Sequence, residues 1–263
     1  MKTTQLNGVP DFRVEEYAPR QKDYCVLIPI INESTRIIAE LEKAKQYNIS
    51  ETADIIICDG GSTDGCTKSE TLKVLDVNTL LVKEGPGKQG AQLRMGIYVA
   101  IERGYKGVVT IDGNNKDSIE DIPRFIEKLK QGYDFVQGSR FIEGGQGINT
   151  PISRLLAVKL LHAPIISLTA KFRFTDTTNA FRAYSMQYLQ HPMVQPFRDI
   201  FFGYELLAYL SVRASQLGLR VCEIPVCRAY PANEKTPTKI SPLKGNLALV
   251  KVLLSNAFGK YNP

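Results

Sequence analysis

The sequence lacks most features that would set it apart from an ordinary soluble α/β enzyme. Its cysteines number five in 263 residues: Cys25, Cys58, Cys66, Cys222 and Cys227. The number is odd and there is no C-x-x-C pair, which argues against structural zinc or a disulfide framework. All but Cys66 lie in or beside apolar runs and read as small buried hydrophobes in a reducing cytosol. No apolar run approaches the roughly 20 residues that span a bilayer. The polar residues 1–9 do not resemble a signal peptide. Any membrane contact is therefore expected to be peripheral. The two histidines read as structural, His162 among apolar neighbours and His191 before Pro192. No G-x-G-x-x-G follows the first apolar run, which excludes the dinucleotide-binding pattern, and no G-x-x-x-x-G-K-[ST] phosphate loop is present. A net charge of +6 and a pI near 9.0 are too small to argue for nucleic acid. They suit nucleotides, phosphates or an anionic membrane surface. Repeats and low-complexity segments are absent too.

What is there alternates strand and helix at short intervals. Residues 24–31 (YCVLIPII), 54–58 (DIIIC), 79–83, 107–111 and 133–137 read as strands. The first two are apolar on both faces, as central parallel strands are. Helices are expected over about 35–47, 91–103 and 120–131, with Asp64 capping a further one. This pattern predicts a doubly wound, mostly parallel sheet flanked by helices. We read one continuous domain: an extension over 1–22, a nucleotide-binding half over 23–142 and an acceptor-side half over 143–263. The second half holds an apolar helical stretch over 151–171, interrupted at Pro164. It also holds a helix over 201–216, an alternating strand over 220–229, a polar loop over 232–242 and an amphipathic terminal helix over 243–258.

The organising stretch is residues 107–117 (GVVTIDGNNKD), where an apolar run ends on Asp112. Ligands of open α/β sheets bind beyond the carboxyl ends of the strands. Glu33 and Asp59 end two other strands, so three acids meet at one edge. Acids there suit a base, a ribose or a metal ion better than a bare phosphate. Taken singly, Asp112 would be a turn cap and Arg140 a surface ion pair; their shared position favours a site. Lys88, in a glycine-rich loop beyond a strand, is a phosphate candidate.

Five motifs in order resemble the family-2 glycosyltransferases of the GT-A fold, closest to the dolichyl- and polyprenyl-phosphate sugar synthases. Residues 28–33 (IPIINE) resemble the first-strand V-P-x-x-N-E, and residues 59–65 (DGGSTDG) resemble D-D-G-S-x-D-G. Asp112-Gly113-Asn114 stands at the D-x-D position. Gly138-Ser139-Arg140 resembles G-S-R, and residues 176–184 (DTTNAFRAY) resemble D-x-x-x-x-F-R-A-Y. The resemblance implies a GT-A fold and transfer from a nucleoside-diphosphate sugar. It implies that Pro29, Asn32, Glu33, Asp59, Gly61 and Gly113 line the nucleotide, and that Asp112 and Asn114 hold Mg²⁺ or Mn²⁺ on the diphosphate. It further implies that Arg140, Arg182 and Lys239 contact phosphate or acceptor, and that Asp176 faces the reacting sugar. Two positions depart from the pattern. Gly60 replaces an acid, and Asn114 offers a neutral oxygen where a carboxylate is usual, which predicts weaker metal affinity. Asp117 or the diphosphate itself would supply the missing charge.

The expected activity is a metal-dependent hexosyl transfer, inverting by resemblance, to a polyprenyl phosphate or a cell-surface glycan. A glycan hydroxyl needs a base such as Asp176; a lipid phosphate needs only basic residues to hold it. The chain is expected in the cytoplasm, at the inner face of a membrane, as a monomer or homodimer. Two other readings stay open at this point: a nucleotidyltransferase making an activated sugar, and a glycosyltransferase-like scaffold that has lost its metal.

Overall fold

Apolar β-branched runs dictate the centre of the molecule. The computed structural model describes residues 8–232 and 244–263. In chain order the strands are β1 (Phe12–Glu16), β2 (Tyr24–Ile30), β3 (Asp54–Asp59), β4 (Val77–Lys83), β5 (Gly107–Thr110), β6 (Phe135–Ser139), β7 (Gln146–Ile148), β8 (Arg182–Ser185), β9 (Val221–Pro225) and β10 (Cys227–Ala229). The α-helices are α1 (Thr35–Gln46), α2 (Ser69–Val74), α3 (Gln89–Glu102), α4 (Ile122–Lys130), α5 (Ile152–Ala157), α6 (Ala163–Ala170), α7 (Met186–Leu189), α8 (Glu205–Gln216) and α9 (Lys244–Ala257).

Eight strands form one sheet in the order β1-β4-β3-β2-β5-β8-β6-β9. β2 pairs in parallel with both β3 and β5, β3 with β4, and β6 with β9. β1 and β8 run antiparallel to their neighbours. The sheet is therefore mostly parallel and covered by helices on both faces, the α/β architecture expected of the sequence. Alternation along β2 shows the two layers. Cys25 and Leu27 point into one core with residues of α3 and α8, while Val26, Ile28 and Ile30 point into the other with residues of α1 and α4. All five cysteines are unpaired.

Three expectations change. The 1–22 segment contributes β1, a full edge strand paired with β4 from Phe12↔Lys83 to Glu16↔Thr79, where a surface extension was expected. Asp64 caps no helix; its carboxylate accepts from Ser34 N (2.7 Å) and Cys66 N (3.1 Å), tying two loops together. Residues 152–170 form one run of helix, and at 19 residues it is long and apolar enough to cross a membrane. Pro164 does not interrupt it. A π turn over Val158–His162 runs directly into the turn that holds the proline, and this local widening accommodates a residue with no N–H to donate.

Candidate active site

The parallel strands deliver their following loops to one edge of the sheet. There the loops after β2 and β3 are laced together. Asn32 Oδ1 accepts Thr63 N at 2.8 Å, and Ser62 Oγ accepts Asn32 N at 2.9 Å. Asn32 has φ 48°, which an asparagine tolerates better than most residues. Asp59 is buried and accepts Gly61 N and Ser62 N at 3.1 and 2.9 Å, so it shapes its own turn. Gly61, at φ +94°, is a glycine for conformational reasons. Glu33 pairs with Arg36 at 2.8 Å. Pro29 is in register with Cys58 in the parallel pair. The Gly60 departure has a packing reason: a Cβ there would lie 3.0 Å from Gln92 Nε2, which is occupied bridging Ile30 O and Cys58 O.

Asp112 follows β5 at the middle of this edge, with its side chain 21% exposed. One carboxylate oxygen accepts Gln89 Nε2 at 3.1 Å; the other accepts Asn114 Nδ2 at 3.4 Å and Arg228 Nη2 at 3.1 Å. Arg228 is also bonded to Asp117, and a backbone bridge joins the same two residues. Burial opposes charge on Arg228, but Asp117 and Asp112 outweigh it and raise its pKa well above the ordinary value. β10 is fixed beside the Asp112 loop by Ala229 N donating to Lys116 O at 2.8 Å and Ser118 N donating to Cys227 O at 3.0 Å.

Tyr230 gathers the neighbouring cations. Its hydroxyl accepts from Arg140 (3.3 Å) and Arg154 (3.2 Å), and Lys116, Arg154 and Arg228 lie 5.4–5.7 Å from its ring centre. Burial would raise the phenol's pKa, yet Arg228, Arg154 and Arg140 bring it below the ordinary value. Lys116 is lowered by burial and then by Arg228. The edge thus sets the cations Arg140, Arg154, Arg228 and Lys116 among the carboxylates Asp112, Asp117 and Asp176, a small positive excess that suits a polyanionic ligand.

Comparison with known proteins places the fold and its relatives. No family model matches the chain. An undecaprenyl-phosphate mannosyltransferase of Micrococcus luteus is 25% identical over 205 residues, 76% of this chain and 81% of its own length. A polyprenol monophosphomannose synthase of Mycolicibacterium smegmatis is 26% identical over 230 residues, 86% of this chain and 84% of its own. Among solved structures, glucosyl-3-phosphoglycerate synthase of Mycobacterium tuberculosis, in complex with Mn²⁺, UDP-glucose and phosphoglyceric acid, superposes with a TM-score of 0.63. It is 17% identical, and the match covers 91% of this chain and 80% of that one. The chain is a homologue of polyprenyl-phosphate glycosyltransferases and has the GT-A fold.

Within this glycosyltransferase frame some expected residues change place. Asp176 is 0% exposed and does not face a sugar. Its carboxylate is forked onto Arg140 (Nε 2.6 Å, Nη2 3.0 Å), and its backbone N–H is held by Glu223 at 3.1 Å. Arg140, at 3% exposure, is the other half of that buried pair and is joined to the site through Tyr230. Arg182 is not a phosphate contact: it lies in the core, donating to the carbonyls of Asn179, Leu207 and Thr177 and to Ser211 Oγ. Gly113 is explained by packing, since a Cβ would fall 2.4 Å from Ile30 Cγ2. Asp117 is buried against Arg228 and is not poised to replace a ligand at Asn114. Lys88 is exposed in the loop after β4, its N–H bonded to Phe202 O at 2.9 Å. Lys239 lies outside the described residues.

Sequence reasoning missed Arg228, Gln89, Lys116, Tyr230 and Glu40. Glu40 projects from α1 beneath the loop, is fully buried and accepts Asn115 N at 2.7 Å. Burial, with Asp117 and Asp112 nearby, raises its pKa well above the ordinary 4.5. Whether the residues fit a divalent cation is answered by their unused oxygens. Gln89 and Asn114 flank Asp112, one on each carboxylate oxygen, and each keeps a buried amide oxygen with no donor among the described residues. Both amides turn their NH2 groups to the carboxylate; turned over, each would set a neutral oxygen beside the anionic ones, the donors that hard cations take. The set fits, with a single carboxylate.

Proposed function

We propose that this protein is a metal-dependent glycosyltransferase that moves a hexosyl group from a nucleoside-diphosphate sugar to a polyprenyl phosphate. The observation that carries the acceptor choice is the burial of Asp176 in its pair with Arg140. A hydroxyl acceptor must lose a proton to a carboxylate, and the expected base is locked away. A phosphate monoester is already anionic near pH 7 and needs cations around it, which Arg228, Lys116 and Arg154 provide. The named relatives act with undecaprenyl phosphate and polyprenol.

In this reading the laced loops around Asn32, Glu33, Asp59 and Gly61 hold the nucleoside. Asp112 and Asn114 would hold Mg²⁺ or Mn²⁺, which supplies positive charge to the diphosphate when bound. Lys88 and Arg228 approach the same phosphates. An acceptor phosphate oxygen forms a bond to the anomeric carbon. The bond from that carbon to the diphosphate oxygen breaks, and its electron pair leaves with the nucleoside diphosphate. Arg228 and Lys116 stabilise the charge that grows on the leaving group, and no proton is transferred. Attack opposite the leaving group inverts the anomeric centre.

The test is incubation of the protein with UDP-, GDP-, CDP- and dTDP-hexoses, undecaprenyl phosphate and Mn²⁺. A single donor is expected to yield an acid-labile glycolipid with release of one nucleoside diphosphate per transfer. Transfer to a glycan hydroxyl with none to the lipid phosphate would refute the acceptor assignment. Pyrophosphate release from a nucleoside triphosphate and a hexose phosphate would refute the reaction class.

A further inference from the structure

Acid is distributed unevenly along the chain. Residues 144–175 contain no Asp or Glu, and neither do residues 235–263, although the chain has 27 acids in all. These two segments supply helix Ile152–Ala170 and α9, which are brought together where α6 packs against α9 and both pack against α8. Their outward faces are apolar. Ile152, Leu156, Leu160 and Leu168 are exposed, Leu168 to 80%, and so are Leu247, Leu254 and Phe258 of the α9 region. Lys159, Lys171, Arg173 and Lys251 are exposed among them. A four-residue spacing normally drifts around an α-helix. The π turn at Val158–His162 takes more residues per turn, and Leu168 beyond it is exposed as Ile152 and Leu156 are before it.

We propose that this face docks in the plane of an anionic lipid bilayer. The occupant follows from charge: the face is basic and acid-free, so anionic headgroups complement it while the leucines enter the acyl boundary. The helix lies on the membrane and does not cross it, because Val158, Ala163, Ile166 and Ala170 are buried against the protein along its length. A spanning helix would present lipid-facing residues all round. The face is also continuous with the active site. Arg154, on the same helix, donates to the Tyr230 hydroxyl, which in turn is bonded to Arg140 and lies under Arg228. A lipid phosphate at the membrane plane therefore meets Arg154 first. The proposal rests on the lipid-phosphate reading for the purpose of the face, and on burial and charge for its existence.

The chain contains no tryptophan, so one introduced tryptophan reports its own surroundings. Leu168→Trp and, as a control on α1's distant end, Tyr47→Trp are mixed with vesicles of phosphatidylcholine alone or with phosphatidylglycerol, without any donor sugar. Leu168→Trp is expected to shift to the blue and to be quenched by brominated lipid only with the anionic vesicles; Tyr47→Trp is expected to do neither. Leu160→Glu/Leu168→Glu should lower vesicle partition at least about tenfold while keeping the melting temperature and the nucleotide-induced thermal shift. No blue shift at position 168 overturns the proposal. So does a stable dimer that the double glutamate variant dissociates, since a second copy then covers the face. Vesicle binding without any nucleotide-induced shift refutes the proposed activity and leaves the docking face standing. A nucleotide shift without vesicle binding does the reverse.

Discussion

Replacing Asp176 by asparagine separates an anchor from a general base. The substitution keeps the shape and removes the charge. It leaves the Arg140 guanidinium in the interior without its anion, where Nε and Nη2 lie 2.6 and 3.0 Å from the carboxylate. Removing one partner of a buried pair costs about 3–5 kcal/mol. For a chain of 263 residues the unfolding entropy is about 0.55 kcal/mol/K, at roughly 2.1 cal/mol/K per residue. The melting temperature should then fall by about 5–9 °C. Calorimetry measures this directly, and transfer to a lipid phosphate below the melting temperature should keep most of its rate. Arg140→Met/Asp176→Leu, which removes both charges, should recover most of the lost stability. A variant that melts within about 1 °C of the wild type but loses activity a hundredfold or more would show that Asp176 meets the substrate, and the anchor argument would be wrong.

Asn114→Asp adds a second carboxylate beside Asp112 and should lower the Mn²⁺ concentration for half-maximal activity by about tenfold or more; an unchanged requirement would mean Asn114 is not a ligand. Glu40 has a raised pKa in the fold, so its contribution is fully present below its ordinary value of 4.5 and is lost as pH rises towards the folded value. Glu40→Gln has no such dependence and should gain on the wild type by about 1.4 kcal/mol per pH unit between 4.5 and the folded value; a stability difference that is flat from pH 4.5 upward would contradict the raised pKa. Gly113→Ala forces a methyl onto Ile30 and should cost about 1–3 kcal/mol, read by chemical denaturation, whereas a stable variant with weakened nucleotide binding would restore Gly113 to the ligand pocket.

The strands that carry the site were legible because burial on both faces writes itself as an unbroken apolar run, as in β2 and β3. Asp112 was legible for the same reason: the run stops on it. β8 was not. Its four residues RAYS have no such run, and its place between β5 and β6 is a tertiary choice. Arg228 escaped because its meaning is an ion pair across 116 positions of sequence, and nothing local distinguishes it from a solvated arginine. Asp176 shows the converse limit. A polar loop next to aromatic residues reads the same whether its acid faces a ligand or is sealed against an arginine; only burial decides. The helix over 152–170 reads in sequence as broken at Pro164, since a proline in a sequence looks the same whether or not a π turn takes it up.

The position of β8 also constrains how the chain is made. β5 ends at Thr110, but its partner on the open side is completed only at Ser185. At 5–20 residues per second of synthesis, about 4–15 s pass between the two. A sheet of five strands folding as it is made would present a bare ladder at β5 throughout that interval, and β6, made in between, would lack both its partners, β8 and β9. Unpaired edges of this kind recruit other chains. Vectorial synthesis thus leaves the strand that leads into the central acid as the last of the early strands to be protected.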